Sequence, residues 1–112
     1  MNGAPQRPFD STAPLSPFTA VLSVFEAKDG FQHLLIEELQ VLVRRSRQEA
    51  GCLLFDLFRI AGKPSAFAVY EVWEHREGME AHLGNRHTTQ FKVTSQRYLA
   101  HPIQAFELEE MM

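Results

Sequence analysis

The sequence predicts an α+β domain built on one antiparallel sheet, and three observations carry that prediction. Four short segments rich in β-branched and aromatic residues fall at about 18–27, 52–60, 66–73 and 103–109. Between the first two, Phe31, Leu34, Leu35, Leu39 and Leu42 recur at steps of three and four, which defines one apolar helical stripe. Between the last two lie two shorter helical patterns separated at Gly84-Asn85. The order is βαββαβ with its second helical element broken in two. That is the ferredoxin-like arrangement, an antiparallel sheet with helices on one face.

Order is expected to begin near Phe18, after a flexible Pro-rich tail over residues 1–17, so that residues 18–112 form a single domain. The first strand, 18–27, is broken by Lys28-Asp29-Gly30. A helix over 31–49 follows, with Gly51 in the left-handed position that commonly closes a helix. The strand at 52–60 is apolar on both faces apart from Asp56 and Arg59, and Gly62-Lys63-Pro64 turns it back into 66–73 as a hairpin. Helices at 76–83 and 86–99 come next, and His101-Pro102 ends the second. Residues 103–109 alternate strictly and supply the last strand. Helices cover one sheet face only, so the other would expose a large apolar patch, which monomers seldom tolerate. A homodimer packed through that open face is the expectation.

Bulk properties narrow the function. A chain of 112 residues with 45% apolar residues and nine phenylalanines holds a real core and has little room for a second domain. Net charge is −3, so the concentrated positive surface that nucleic acid demands is missing. The one basic cluster, Arg44-Arg45-Ser46-Arg47, sits at the end of a predicted helix whose first half carries Glu37 and Glu38, a polarity that suits the helix dipole. No run reaches the roughly 18 apolar residues of a membrane span. A soluble cytoplasmic protein is the default. The single Cys52 excludes an internal disulfide and a four-cysteine zinc site.

Chemistry concentrates on two histidines. On the short helix, spacing puts Met79, His82 and Leu83 on one face, with Leu83 expected to be buried. On the next, His87, Phe91, Thr94 and Tyr98 form one stripe. Both imidazoles are expected to converge near the sheet end where Tyr70 and Trp73 lie, and histidine is the natural proton-transfer group at neutral pH. Trp73, Tyr70, Phe55 and Phe58 are either strand core or the walls of a pocket for a flat aromatic ligand. His33 and His101 read as surface residues, Cys52 as sheet packing, and Glu71 as half of a strand-end salt link with Arg59. Metal binding is disfavoured, because His82 and His87 stand five apart across a helix break and no HExxH pattern occurs. There is no glycine-rich phosphate loop and no GxSxG elbow.

The run Glu49-Ala50-Gly51-Cys52-Leu53 with Phe55-Asp56-Leu57, then Tyr70-Glu71-Val72-Trp73, then Ala81-His82-Leu83 with His87 and Phe91, resembles the antibiotic biosynthesis monooxygenase (ABM) family over about residues 18–109. The resemblance implies a dimeric α+β barrel with one pocket per subunit between sheet and helices. It also implies three kinds of activity: cofactor-independent oxidation of hydroquinone- or anthrone-like compounds, isomerisation of small phosphorylated diketones, and haem degradation in one branch. Two departures stand out. Phe58 occupies a strand position where many members carry histidine. The haem-degrading branch has tryptophan where His82 falls and a haem-ligating histidine about where Lys92 falls, so haem chemistry is not carried over.

The leading expectation is a metal-free and cofactor-free monooxygenase that oxidises a small hydroxylated aromatic with O2. His82 or His87 would act as base, Tyr70 and Asp56 would orient substrate, and Trp73, Phe55, Phe58 and Phe91 would wall the pocket. Two alternatives stay open. One is an isomerase of a small oxygenated carbonyl compound, anchored by Arg59 or Arg86; the other is a non-catalytic dimeric module that binds a small ligand.

Overall fold

The computed structural model describes residues 17–112, and the expected Pro-rich tail lies, apart from Pro17, outside the described residues. The elements run β1 (Thr19–Glu26), α1 (Gln32–Ser46), β2 (Cys52–Arg59), β3 (Ala66–Trp73), α2 (Arg76–Gly84), α3 (Arg86–Ser95) and β4 (Gln104–Leu108). A single 3-10 turn, Gln96–Tyr98, follows α3. The four strands pair antiparallel in the order β2-β3-β1-β4. This is the ferredoxin-like α+β fold that the element order predicts.

The core lies between the sheet and the helices. Phe25 from β1, Phe67, Val69 and Trp73 from β3, and Phe55 from β2 meet Leu35, Leu39, Leu42 and Val43 from α1. Met79 and Phe91 close the layer from α2 and α3, with Phe91 edge-on to Phe25 at 5.9 Å between ring centroids. Each such side chain taken from water contributes about 1.5–3 kcal/mol, so this layer holds the helices on the sheet and fixes where α2 and α3 present their histidines.

Two boundaries and the burial of one residue depart from expectation. α1 ends at Ser46 and not at Glu49. Arg47 caps it, its N–H still on the Val43 carbonyl, and the next N–H groups tighten onto Arg45 and Ser46. The Arg47 side chain binds the carbonyl of Phe55 and the Asp56 carboxylate on β2, each at 2.9 Å. α3 tightens into the 3-10 turn, which brings the Tyr98 carbonyl to the Lys28 N–H (2.8 Å) and stacks Tyr98 on Phe31. Leu83, expected inside, is 45% exposed. α2 buries only the narrow Met79–His82 stripe, which leaves Leu83 at the edge of the layer.

Candidate active site

His82, in the last turn of α2, is 3% exposed and packed between aromatic rings. Its imidazole lies 5.0 Å from the Trp73 ring and 5.3 Å from that of Phe55. Both contacts follow from strand alternation, since Trp73 points to the helical face of β3, and Phe55 pairs with Glu71 on the same face. His87, in the first turn of α3, lies 6.2 Å from His82 between ring centroids.

Glu49 joins the two histidines. It lies in the turn between α1 and β2, where the Glu49 N–H binds the Ser46 carbonyl, the Cys52 N–H binds the Glu49 carbonyl, and Gly51 takes φ +81°. That turn aims one carboxylate oxygen, Oε2, at both rings, 2.9 Å from His82 Nδ1 and 2.7 Å from His87 Nε2. A carboxylate only accepts, so both ring nitrogens donate to it. Nδ1–H on His82 leaves Nε2 as the nitrogen that is free to take a proton when the ring is neutral.

Glu71 stands on the Nε2 side, with Oε1 4.0 Å away, and accepts a 2.8 Å hydrogen bond from Trp73 Nε1–H. The expected Glu71–Arg59 link does not form. Glu71 is buried on the helical face, and Arg59 lies over the Phe67 ring instead. Burial pushes the Glu71 carboxyl up from its ordinary value, against the pull of the Trp73 N–H and of His82, and Glu49 adds to the rise. Cys52 is pushed up to about 11 by burial and by the Glu49 and Glu71 carboxylates. Its thiol therefore stays protonated and is a poor nucleophile.

His82 and Glu71 line a cavity of about 320 Å³ between sheet and helices, walled by Phe25, Phe55, Met79 and Phe91. Arg76, Lys92 and Glu107 also border it, with Arg76 paired to Glu107. His87 borders a different depression of about 240 Å³, between α1 and α3, together with Glu38, Arg45 and Gln90. Glu49, His82 and His87 also place two imidazole nitrogens and a carboxylate oxygen within 4.8 Å of one another. Chain spacing was thus no guide to whether these side chains could meet. In this geometry their donors are committed to one another through hydrogen bonds.

Of the residues expected at the site, the fold brings His82, Trp73, Phe55 and Phe91 together, with His87 one carboxylate away. It does not bring Tyr70, Asp56 and Phe58 there. Tyr70 pairs with Asp56, and Phe58 with Ala68, on the opposite sheet face. Asp56 is held there by Arg47, and Phe58 is half exposed. Tyr70 borders a depression of about 370 Å³ on that face with Phe18, Ala20, Val72 and Leu108. Glu49 and Glu71 are the site residues that sequence reasoning missed.

Residues 18–93 match the model of the antibiotic biosynthesis monooxygenase family. YcnE of Bacillus subtilis, provisionally named a monooxygenase, is 30% identical over 74 residues, covering 66% of this chain and 78% of that protein. The crystal structure of PA3566 from Pseudomonas aeruginosa superposes with a TM-score of 0.79 at 26% identity, over 89% of this chain and all of that one. Rv0793 from Mycobacterium tuberculosis gives 0.80 at 21% identity, over 85% of this chain and 96% of that one, a likeness of fold.

Proposed function

The chain belongs to the antibiotic biosynthesis monooxygenase family, and on that premise we propose that the cavity beside His82 is the active site of a cofactor-independent monooxygenase for a small hydroxylated aromatic compound. The observation that carries the reading is the setting of His82. Its Nδ1 is tied to Glu49, its ring is packed by Phe55 and Trp73, and its remaining nitrogen lies on the side of Glu71 and the cavity. An imidazole locked in one tautomer at an apolar cavity is suited to general-base catalysis.

The substrate hydroxyl gives its proton to His82 Nε2. The resulting phenolate is electron-rich enough to reduce O2 directly. One oxygen atom becomes a new carbonyl on a ring carbon. The substrate gives up two hydrogens, one from its hydroxyl by way of His82 and one from that carbon, which leave with the other oxygen atom as water. The substrate supplies all four electrons. The protein's part is to bind, desolvate and deprotonate. Phe55, Phe91 and Phe25 provide apolar walls, and Glu71, whose carboxyl burial pushes up, borders the cavity on the Nε2 side of His82. Ligand pockets span about 300–1,000 Å³, so a cavity of about 320 Å³ favours one- or two-ring compounds over larger polycyclic ones. Arg59 and Arg86, the expected anchors of an isomerase of a phosphorylated carbonyl compound, are not among the residues that line it, whereas Arg76, paired to Glu107, and Lys92 are.

The test is oxygen uptake by chelator-treated protein with a panel of hydroquinones, dihydroxynaphthalenes and anthrones. Uptake above autoxidation is expected, and His82→Ala should lower it by about 10²–10⁴-fold, the usual worth of a general base. Unchanged turnover in a folded His82→Ala variant would remove His82 from the mechanism. No uptake across the panel would favour the isomerase or the ligand-binding module.

A further inference from the structure

We infer that His82, Glu49 and His87 form a charge-exchange relay that moves a proton equivalent from the cavity to the groove between α1 and α3. The inference rests on the monooxygenase reading for its purpose and on geometry for its substance. The two histidines border different depressions, His82 the cavity and His87 the groove, and Glu49 Oε2 is hydrogen-bonded to both. Side-chain exposure rises outward, from 4% at His82 to 14% at His87, with 11% at Glu49. One buried carboxylate oxygen therefore serves two rings that border different depressions.

The chemistry follows from counting protons. Both inner N–H groups, Nδ1–H of His82 and Nε2–H of His87, point at the same oxygen and stay in place throughout. One carboxylate balances one imidazolium. The relay starts with that charge on His87, the ring with the more exposed side chain, and with His82 neutral. When His82 Nε2 takes the substrate proton, two imidazolium rings 6.2 Å apart would share one carboxylate. Their repulsion expels the outer proton of His87, from Nδ1, into the groove. One proton enters at Nε2 of His82, another leaves at Nδ1 of His87, and the trio keeps its net charge. Glu71 also faces His82, while Glu38 and Arg45 border the groove at His87 and set the field into which the proton leaves. His82 is the catalytic residue, whereas Glu49 and His87 act through it.

Nitrogen-15 NMR of the imidazoles across about pH 5–8, the range in which histidine ordinarily titrates, tests this without any substrate. The expected result is coupled protonation through the shared Glu49 oxygen, in two steps that belong to the pair and not to either ring alone. Between the steps His87 is cationic and His82 is the neutral Nδ1–H tautomer. Glu49→Gln should abolish that ordering. Simultaneous protonation of both rings, or a neutral His82 carrying its proton on Nε2, overturns the relay whatever the enzyme's activity. With a turning-over substrate, His87→Ala should lower kcat on the order of tenfold or more with KM unchanged. Free imidazole, entering by the groove, should restore it. Unchanged kcat in His87→Ala overturns the relay while leaving His82 as base. The expected titration without oxygen uptake from any compound overturns the monooxygenase reading and leaves the charge exchange standing.

Discussion

Glu71 is buried where a charge is costly, with only a Trp73 N–H and His82 to favour its ionised form. Cys52 on β2 and Glu49 also face it, and Arg76, Lys92 and Glu107 border the same cavity. The folded protein therefore holds the Glu71 proton above the pH at which the unfolded chain, near 4.5, releases it. A carboxyl raised in this way contributes its full stability below the unfolded value and loses it as pH rises through the folded one. Glu71→Gln cannot ionise and still accepts from Trp73, so it escapes that loss. Its Tm should match that of the wild type near pH 4 and exceed it increasingly towards pH 8 in thermal melts. A difference independent of pH would mean that Glu71 ionises freely in the fold. The position of Glu71 was legible, because strand alternation in Tyr70-Glu71-Val72-Trp73 puts Glu71 and Trp73 on one face and Tyr70 on the other. The same rule parts Phe55 from Asp56 and Phe58. Glu49 was not legible at this scale, since no local pattern links it to rings 33 and 38 positions later.

What aims Glu49 is an element boundary, the turn from α1 into β2. The apolar stripe stops at Leu42 and no glycine or proline follows until Gly51, so local pattern does not mark the end of α1 at Ser46, next to which the Arg47 side chain reaches the edge of β2. Element type and order follow from local pattern, whereas this boundary does not. Gly51 closes the turn at φ +81°, and a Cβ there would meet no atom within 4 Å. Gly51→Ala is therefore a test of backbone conformation alone. Left-handed backbone costs a non-glycine residue about 1–2 kcal/mol, which for a domain of this size lowers Tm by roughly 4–8 °C per kcal/mol. If Gly51→Ala also loses oxygenase turnover beyond its loss of stability, the turn is what holds Glu49 on the histidines. An unchanged Tm would show that the turn relaxes to another conformation at no cost.

At the scale of the whole molecule, the open sheet face is the feature that one chain leaves unfinished. All three helices pack on the other side, and among the described residues no helix is long and apolar enough to cross a membrane. The open face carries Phe58, Phe106 and Leu108, which are 50%, 50% and 42% exposed. By strand register these side chains share one face with Tyr70 and Val72 on β3 and Ala20 and Leu22 on β1, interrupted at β2 by the Asp56–Arg47 pair. A surface of this kind is usually an interface, and a second copy is the partner that it suits, because a twofold contact matches a face with itself. Tyr70, Asp56 and Phe58 then belong to assembly and not to the cavity. Light scattering behind size exclusion should give twice the chain mass at micromolar concentration. Phe106→Asp should give a monomer that retains the near-ultraviolet signal of a packed core, since Phe106 points away from Phe25, Phe55 and Trp73. A wild-type monomer at every accessible concentration would refute the dimer and leave the open face in need of another cover. A dimer that survives Phe106→Asp would move the interface to the exposed edges of β2 and β4, where backbone groups rather than side chains join the copies.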